Sequence, residues 1–199
     1  MQTLEQLTRH FRRTPVFGSC VDLVPYAAED AAAIVRLRNL PEVRYFMNQD
    51  GESTVATQDA WHHDYLERSG DLFWVVRNKA GATVGCNRLY NISTDSAEKG
   101  SQIVDPEYGR SSPIALEADM LAMKLAFNEF GVRTVIYRTR EDNVKVQAMN
   151  ARFGFREAGE EDLRGVRYFI YRLEREDFHP EAFDGIIAHW SGRSGRRHD

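Results

Sequence analysis

The sequence predicts a layered α/β fold of the α+β kind, with a mixed, mostly antiparallel sheet of about seven strands flanked by helices. Three observations predict it. Residues 72–77 and 83–92 are strand-like runs joined by the turn Asn78-Lys79-Ala80-Gly81, which makes an antiparallel meander. Residues 102–139 read strand, polar turn, long apolar helix, strand, and the right-handed crossover rule makes the two strands of such a unit parallel. Residues 156–160 and 166–173 flank Asp162-Leu163-Arg164-Gly165 as a closing hairpin.

The elements follow in order. Residues 1–19 open with a short amphipathic helix, Leu4, Leu7 and Phe11 lying at helical spacing, and then break at Thr14-Pro15 and Gly18. We expect this stretch to be an appendage to a domain spanning 20–178. Residues 21–26 alternate as a first strand that ends at Pro25. A helix over 29–40 turns Ala32, Ile34, Val35 and Leu37 inward and stops at Pro41. A second helix over 54–68 carries Trp61, Tyr65 and Leu66 inward. After the meander, a polar turn at 93–96 leads through Ala97-Glu98-Lys99-Gly100 into the core strand 102–105.

The crossover helix, 113–130, has two apolar stripes: Ile114, Ala118, Leu121 and Leu125 on one, Leu116, Met120, Met123, Phe127 and Phe130 on the other. A helix apolar on most sides is buried on most sides. Residues 180–190 form a short extra helix, and 191–199 read as a frayed basic tail, so 179–199 is set apart from the domain.

Composition narrows the function. The chain has 199 residues, 42% hydrophobic and 28% charged, enough to bury a full core. Its 26 Lys and Arg against 30 Asp and Glu leave a net charge of −4, which argues against a general nucleic-acid binder. No apolar run approaches the roughly 20 residues of a membrane span, and no signal-peptide pattern opens the chain. A cytoplasmic protein with no membrane partner is expected. Cys20 and Cys86 lie far apart and read as free thiols in a reducing compartment. His62-His63 cannot chelate together, because adjacent helical residues face about 100° apart, so no metal is expected.

The chemistry lies where the crossover helix begins. Ser112 is a good N-cap and Pro113 a good first helical residue, since its missing N–H would be unpaired there anyway. The N–H groups of Ser111, Ser112, Ile114 and Ala115 would then point out of the helix end, where the macrodipole favours an anion. Arg110 adds a charge that can fork onto phosphate oxygens. An ordinary capped helix beside a solvated arginine would show the same pattern.

The stretch 102–155 resembles the acetyl-CoA-binding half of the GNAT acetyltransferases. That superfamily carries Arg/Gln-x-x-Gly-x-Gly/Ala after its fourth strand, and this chain has Arg110-Ser111-Ser112-Pro113-Ile114-Ala115, with proline at the middle glycine. The family's Asn, short helix and Gly-Phe are matched by Asn143 and Gly154-Phe155. The resemblance implies splayed core strands, with the pantetheine arm of acetyl-CoA pairing with the backbone of Ile103, Val104 and Asp105. It implies further cofactor contacts from Arg110, Ser111, Ser112, Ile114, Ala115, Asn143 and Asn150. Asn150 stands where the family often has a tyrosine that protonates the leaving thiolate; solvent, Tyr90 or Tyr108 would have to serve instead.

On the acceptor side, Arg38-Asn39-Leu40-Pro41-Glu42-Val43-Arg44 is similar to the Arg-Asn-x-Pro-x-Val-Arg segment of enzymes that acetylate nucleotide-linked amino sugars. Ribosomal-protein acetyltransferases share it less closely. The resemblance implies an acceptor pocket that includes Arg38, Asn39, Met47 and Tyr90. A loop whose arginines pair with Glu42 and Asp50 is the competing reading. An alkylammonium has a pKa near 10, so a base is expected. Glu98 is the candidate from the strand start where relatives carry a glutamate; counting back from Pro106 instead favours Lys99, on the opposite face.

The resemblance implies an acetyl-CoA-dependent N-acetyltransferase for a small-molecule amine, with no metal, and a homodimer is compatible with it. Acetylation of a polyamine or a protein N-terminus, and a non-catalytic acyl-CoA-binding module, are the alternatives.

Overall fold

A computed structural model describes residues 2–47, 49–109 and 112–194. Its strands are β1 (Val16–Phe17), β2 (Val21–Pro25), β3 (Leu72–Asn78), β4 (Thr83–Tyr90), β5 (Ser96–Val104), β6 (Thr134–Arg140), β7 (Arg156–Leu163) and β8 (Val166–Glu174). They form one sheet in the order β1-β2-β3-β4-β5-β6-β8-β7. Every neighbouring pair is antiparallel except β5 and β6, the pair joined by the crossover. The helices are α1 (Leu4–Phe11), α2 (Ala31–Arg38), α3 (Pro41–Phe46), α4 (Val55–Leu66), α5 (Pro106–Gly109), α6 (Ile114–Asn128), α7 (Val144–Phe153) and α8 (Asp184–Ser194).

The unbroken apolar run of β3 reports burial on both faces. Leu72, Trp74 and Val76 pack into the layer that holds α6, while Phe73 and Val75 pack with Ile34 and Leu37 of α2 and Tyr65 of α4. The sheet is therefore the middle of three layers, as strands without polar alternation require.

Several boundaries differ from the expectations. Pro41 does not merely stop a helix: α2 ends at Arg38, and Pro41 begins α3, where its missing N–H costs nothing. The core strand starts at Ser96, because pairing of Leu89 with Lys99 and of Tyr90 with Glu98 draws 96–100 into the sheet. Ser112 is not the cap of α6. Its hydroxyl donates to the Tyr108 carbonyl at 2.6 Å, and Pro113 takes the N-cap position without a side-chain cap. Leu66 and Ala32 face solvent. Residues 191–194 continue α8, and the rest of the predicted basic tail lies outside the described residues.

The N-terminal stretch is tied in closely. β1 extends the sheet edge, and Leu4 and Phe11 pack on the core. Arg12 donates to the carbonyls of Tyr65, Leu66 and Asp71, closing the end of α4. Glu117, one of two buried carboxylates on the mostly apolar α6, accepts from the backbone N–H groups of Ser19, Cys20 and Val21 at 2.6, 2.6 and 2.9 Å.

The parallel pair opens partway along. β5 and β6 pair from Ser96–Thr134 to Lys99–Tyr137 and no further. Beyond that point β5 keeps only its partner β4, and β6 only β8. The cause is local: Ser101 has φ +48°, and the β4–β5 register shifts between Cys86 and Arg88. A bulge bends the strand that carries it, and here it bends β5 away from β6.

Candidate active site

The opening between β5 and β6 is the mouth of a cavity of about 770 Å³. One wall is the freed stretch of β5 from Gly100 to Val104 with Ala115 of α6; the opposite wall is β6 from Tyr137 to Arg140 with Asn143, Lys145, Val146 and Met149. Glu42, Val43, Phe46 and Met47 of α3 and the residue after it close one end, with Leu163, Arg164 and Tyr168 from the final hairpin. Backbone groups on the free edge of β5 have no strand partner on that side, and a buried edge of this kind needs one.

Of the predicted residues, Ile103, Val104, Ala115, Asn143, Met47 and Tyr90 line this cavity. Asn143 also caps α7, its Oδ1 accepting from Val146 N–H at 3.3 Å. Ile114 is buried in the core. The Asp105 side chain turns away from the cavity: its carboxylate takes a hydrogen bond from Arg36 at 2.5 Å and another from Glu107 N–H. Burial pushes that carboxyl up, but these bonds outweigh it and hold it below the usual range. Asn150 is 1% exposed and donates to the Thr139 hydroxyl at 3.1 Å, so it fastens α7 to β6. Arg110 and Ser111 lie outside the described residues.

Asn39 clamps a loop: its side chain donates to the Ser53 carbonyl and accepts from Ser53 N–H, both at 2.8 Å. Arg38 lines a second, smaller cavity of about 300 Å³, with Gln49, Gln58, Trp61, Phe73 and Arg88, and that cavity shares Ser101 with the larger one.

Glu98 does not line either cavity. Its carboxylate is ion-paired with Arg138 and accepts from Asn91 Nδ2 at 2.9 Å. It reaches the large cavity through Tyr90, its cross-strand neighbour. Burial, then the Glu98 charge and a hydrogen bond to it, push the Tyr90 phenol up to about 12.

Two features of the site were not foreseen. Lys99, 1% exposed, puts Nζ 2.7 Å from Asp119 of α6 and 3.9 Å from the Tyr137 ring centroid, beneath the point where the strands part. Burial drives the ammonium toward neutrality, but the Asp119 carboxylate outweighs it and keeps Lys99 charged. Asn87 donates to the same carboxylate at 3.0 Å. The signal available was a second carboxylate, two residues after Glu117, in the middle of a mostly apolar helix. The second feature is a latch. Arg140 donates to both Asp142 oxygens at 2.9 and 3.0 Å and to the Tyr45 carbonyl at 3.0 Å, which ties α3 across the cavity mouth. Arg164 pairs with Asp50 and Lys145 with Glu42 around the same rim. Among the described residues no cluster of three His, Cys, Asp or Glu side chains could hold a metal ion, and no helix is long and apolar enough to cross a membrane.

Comparison with known proteins gives a family and a fold. The profile of the acetyltransferase (GNAT) domain matches residues 21–156. No curated protein matches the chain in sequence. Among solved structures, a GCN5-related N-acetyltransferase from Brucella melitensis is 22% identical, covering 90% of this chain and 86% of its own, with a TM-score of 0.73. FdhC, a nucleotide-linked sugar GNAT, is 18% identical over 90% of this chain and 99% of its own, with a TM-score of 0.73. Spermidine N-acetyltransferase from Vibrio cholerae, solved with CoA and spermine, is 15% identical over 80% and 98%, with a TM-score of 0.72. At these identities the likeness is one of fold.

Proposed function

The chain belongs to the GNAT acetyltransferase family, and we propose that it moves the acetyl group of acetyl-CoA to the primary amine of a small molecule, such as a nucleotide-linked amino sugar. The observation that carries the reading is the parting of β5 and β6 over a 770 Å³ cavity. Acetyl-CoA supplies an activated acyl thioester, and the residues present fit it. The open edge of β5 at Ile103 and Val104 offers backbone groups to an extended amide-bearing arm. The first turn of α6 directs unpaired N–H groups outward beside Ala115, where anionic phosphates are favoured, and Lys145 adds a cation on the rim. Arg110, Ser111 and Ser112 would extend this grip. Asn143 orders the start of α7 at the opposite wall.

The acceptor must lose a proton before it attacks. We assign that proton to Tyr90 and Glu98 acting in series: the amine N–H passes to the Tyr90 oxygen while the Tyr90 O–H passes to the Glu98 carboxylate. Glu98 lies outside the cavity, so a direct role would need a water between it and the amine. Tyr137 lines the cavity with Tyr90, so either would supply the hydroxyl for a leaving thiolate, whereas Tyr108 does not line it. A cytoplasmic enzyme, with both cysteines as free thiols, completes the reading.

The test is release of the CoA thiol across a panel of amino sugars, polyamines and peptides. Turnover with at least one small amine is expected, and Arg110→Ala should weaken CoA binding about tenfold or more, as for a hydrogen bond to a charged group. Tight CoA binding without turnover on any amine would make the protein a non-catalytic acyl-CoA binder. Turnover only on peptides would move the acceptor to protein N-termini.

A further inference from the structure

We infer that the smaller cavity is a subsite that reads an oxyanion, a carboxylate or a phosphate, on the amine acceptor, with Arg38 as the reading group. The inference rests on the amine-acetylating reading above. The cavity is lined by two arginines and two carboxylates, and three of the four are already matched. Arg88 is bonded to both oxygens of Asp71 at 2.8 and 2.5 Å; Asp50 pairs with Arg164; Glu52 lies 3.4 Å from Arg44. The Arg38 side chain makes no hydrogen bond or ion pair to any described residue. The loop pairing that would have made it an ordinary surface arginine is taken by others, since Glu42 goes to Lys145 and Asp50 to Arg164.

A guanidinium offers five donors in a planar fork that matches carboxylate or phosphate oxygens, and here that fork faces a cavity. A second unsatisfied group lines the same space: Gln49 Oε1 is buried without a hydrogen-bond partner, an acceptor for a hydroxyl or N–H of the same ligand. Trp61 and Phe73 supply apolar faces, and about 300 Å³ suits one small anionic group. The subsite also has the right address. Ser101, held at φ +48°, touches both cavities, so a molecule with its amine at the β5–β6 opening can extend its other end to Arg38. A polyamine would bring a second ammonium to an uncompensated cation.

The experiment separates this inference from the reading beneath it. Binding of aminopropylphosphonate and of gamma-aminobutyrate is measured by calorimetry with CoA present, with butylamine and diaminobutane as controls, on wild type and Arg38→Gln. The anionic amines should bind at least tenfold tighter than the controls, and Arg38→Gln should remove about tenfold or more, as loss of a hydrogen bond to a charged group implies. The phosphonate and carboxylate arms show which oxyanion is preferred. Equal affinities for anionic and control amines, or anionic binding unchanged in Arg38→Gln, overturns the subsite whatever the turnover. Turnover of the same amines is scored separately and bears on the acetyltransferase reading alone. Arg38 has no partner to lose, so the variant is expected to melt like wild type.

Discussion

The Tyr45 hydroxyl lies 2.5 Å from the Asp142 carboxylate, joining α3 to the loop that follows β6 across the mouth of the cavity. Arg140 holds the same carboxylate with two bonds and stacks over the Tyr45 ring at 4.1 Å. Three side chains therefore decide how closely α3 covers the acceptor end. Asp142→Asn should raise KM for the amine by about two- to fivefold, the scale of an exposed ion pair, with little change in Tm. Steady-state kinetics at saturating acetyl-CoA checks it.

The latch also has a pH window. Hydrogen bonds from Arg140, then from Tyr45, hold the Asp142 carboxyl down to about 2. A depressed carboxyl stabilises the closed form fully above its ordinary value near 3.9, and that contribution is lost as pH falls toward 2. KM for the amine should therefore carry no latch-dependent change between pH 5 and 9. An Asp142→Asn variant whose KM converges with wild type anywhere in that range would contradict the assignment.

Tyr90 and Glu98 should behave as one unit. Glu98→Gln is expected to lower kcat by about two to four orders of magnitude, the usual contribution of general base catalysis, and Tyr90→Phe by a similar factor. The double variant should lose little more than either single one, because both remove the same proton path. CoA affinity should stay within about twofold of wild type. Additive losses, or a Glu98→Gln enzyme that keeps most of its rate, would assign the proton elsewhere.

Glu117 offers a stability test remote from the acceptor. Its carboxylate accepts three backbone N–H groups and is 1% exposed. Glu117→Gln puts an NH2 against one of those donors and removes the charge, at a cost of about 3 kcal/mol. At roughly 2–4 °C per kcal/mol for a chain of this size, Tm should fall by about 6–12 °C. Differential scanning calorimetry reads the shift directly.

The two thiols should be silent in a thiol-detecting assay. Burial pushes Cys86 up to about 12, and burial, reinforced by the Glu117 charge, pushes Cys20 to about 11. At pH 8 only about one part in a thousand of Cys20 is thiolate, the reactive form. Native protein should consume well under one equivalent of reagent during an assay, and denatured protein two.

The sequence by itself determined the mixed sheet, its flanking helices and its one parallel pair. The apolar run of β3, the βαβ crossover and the closing hairpin all follow from periodicity and turn chemistry, which are local. So does Gly154, whose φ of +91° ends α7 as the Gly-Phe pattern implied. The motif Asn143 was likewise legible, because a cap is a contact three residues long. Tertiary structure decided the charges. Whether Arg38 pairs with Asp50, whether Glu98 faces the cavity, and whether Lys99 meets Asp119 depend on residues up to 114 positions apart, such as Arg164 and Asp50. A one-residue register choice between Glu98 and Lys99 turns on the bulge at Ser101, seen in its φ of +48° and in the β4–β5 register shift. Local sequence specifies where a side chain starts; only the packed sheet specifies which opposite charge reaches it first.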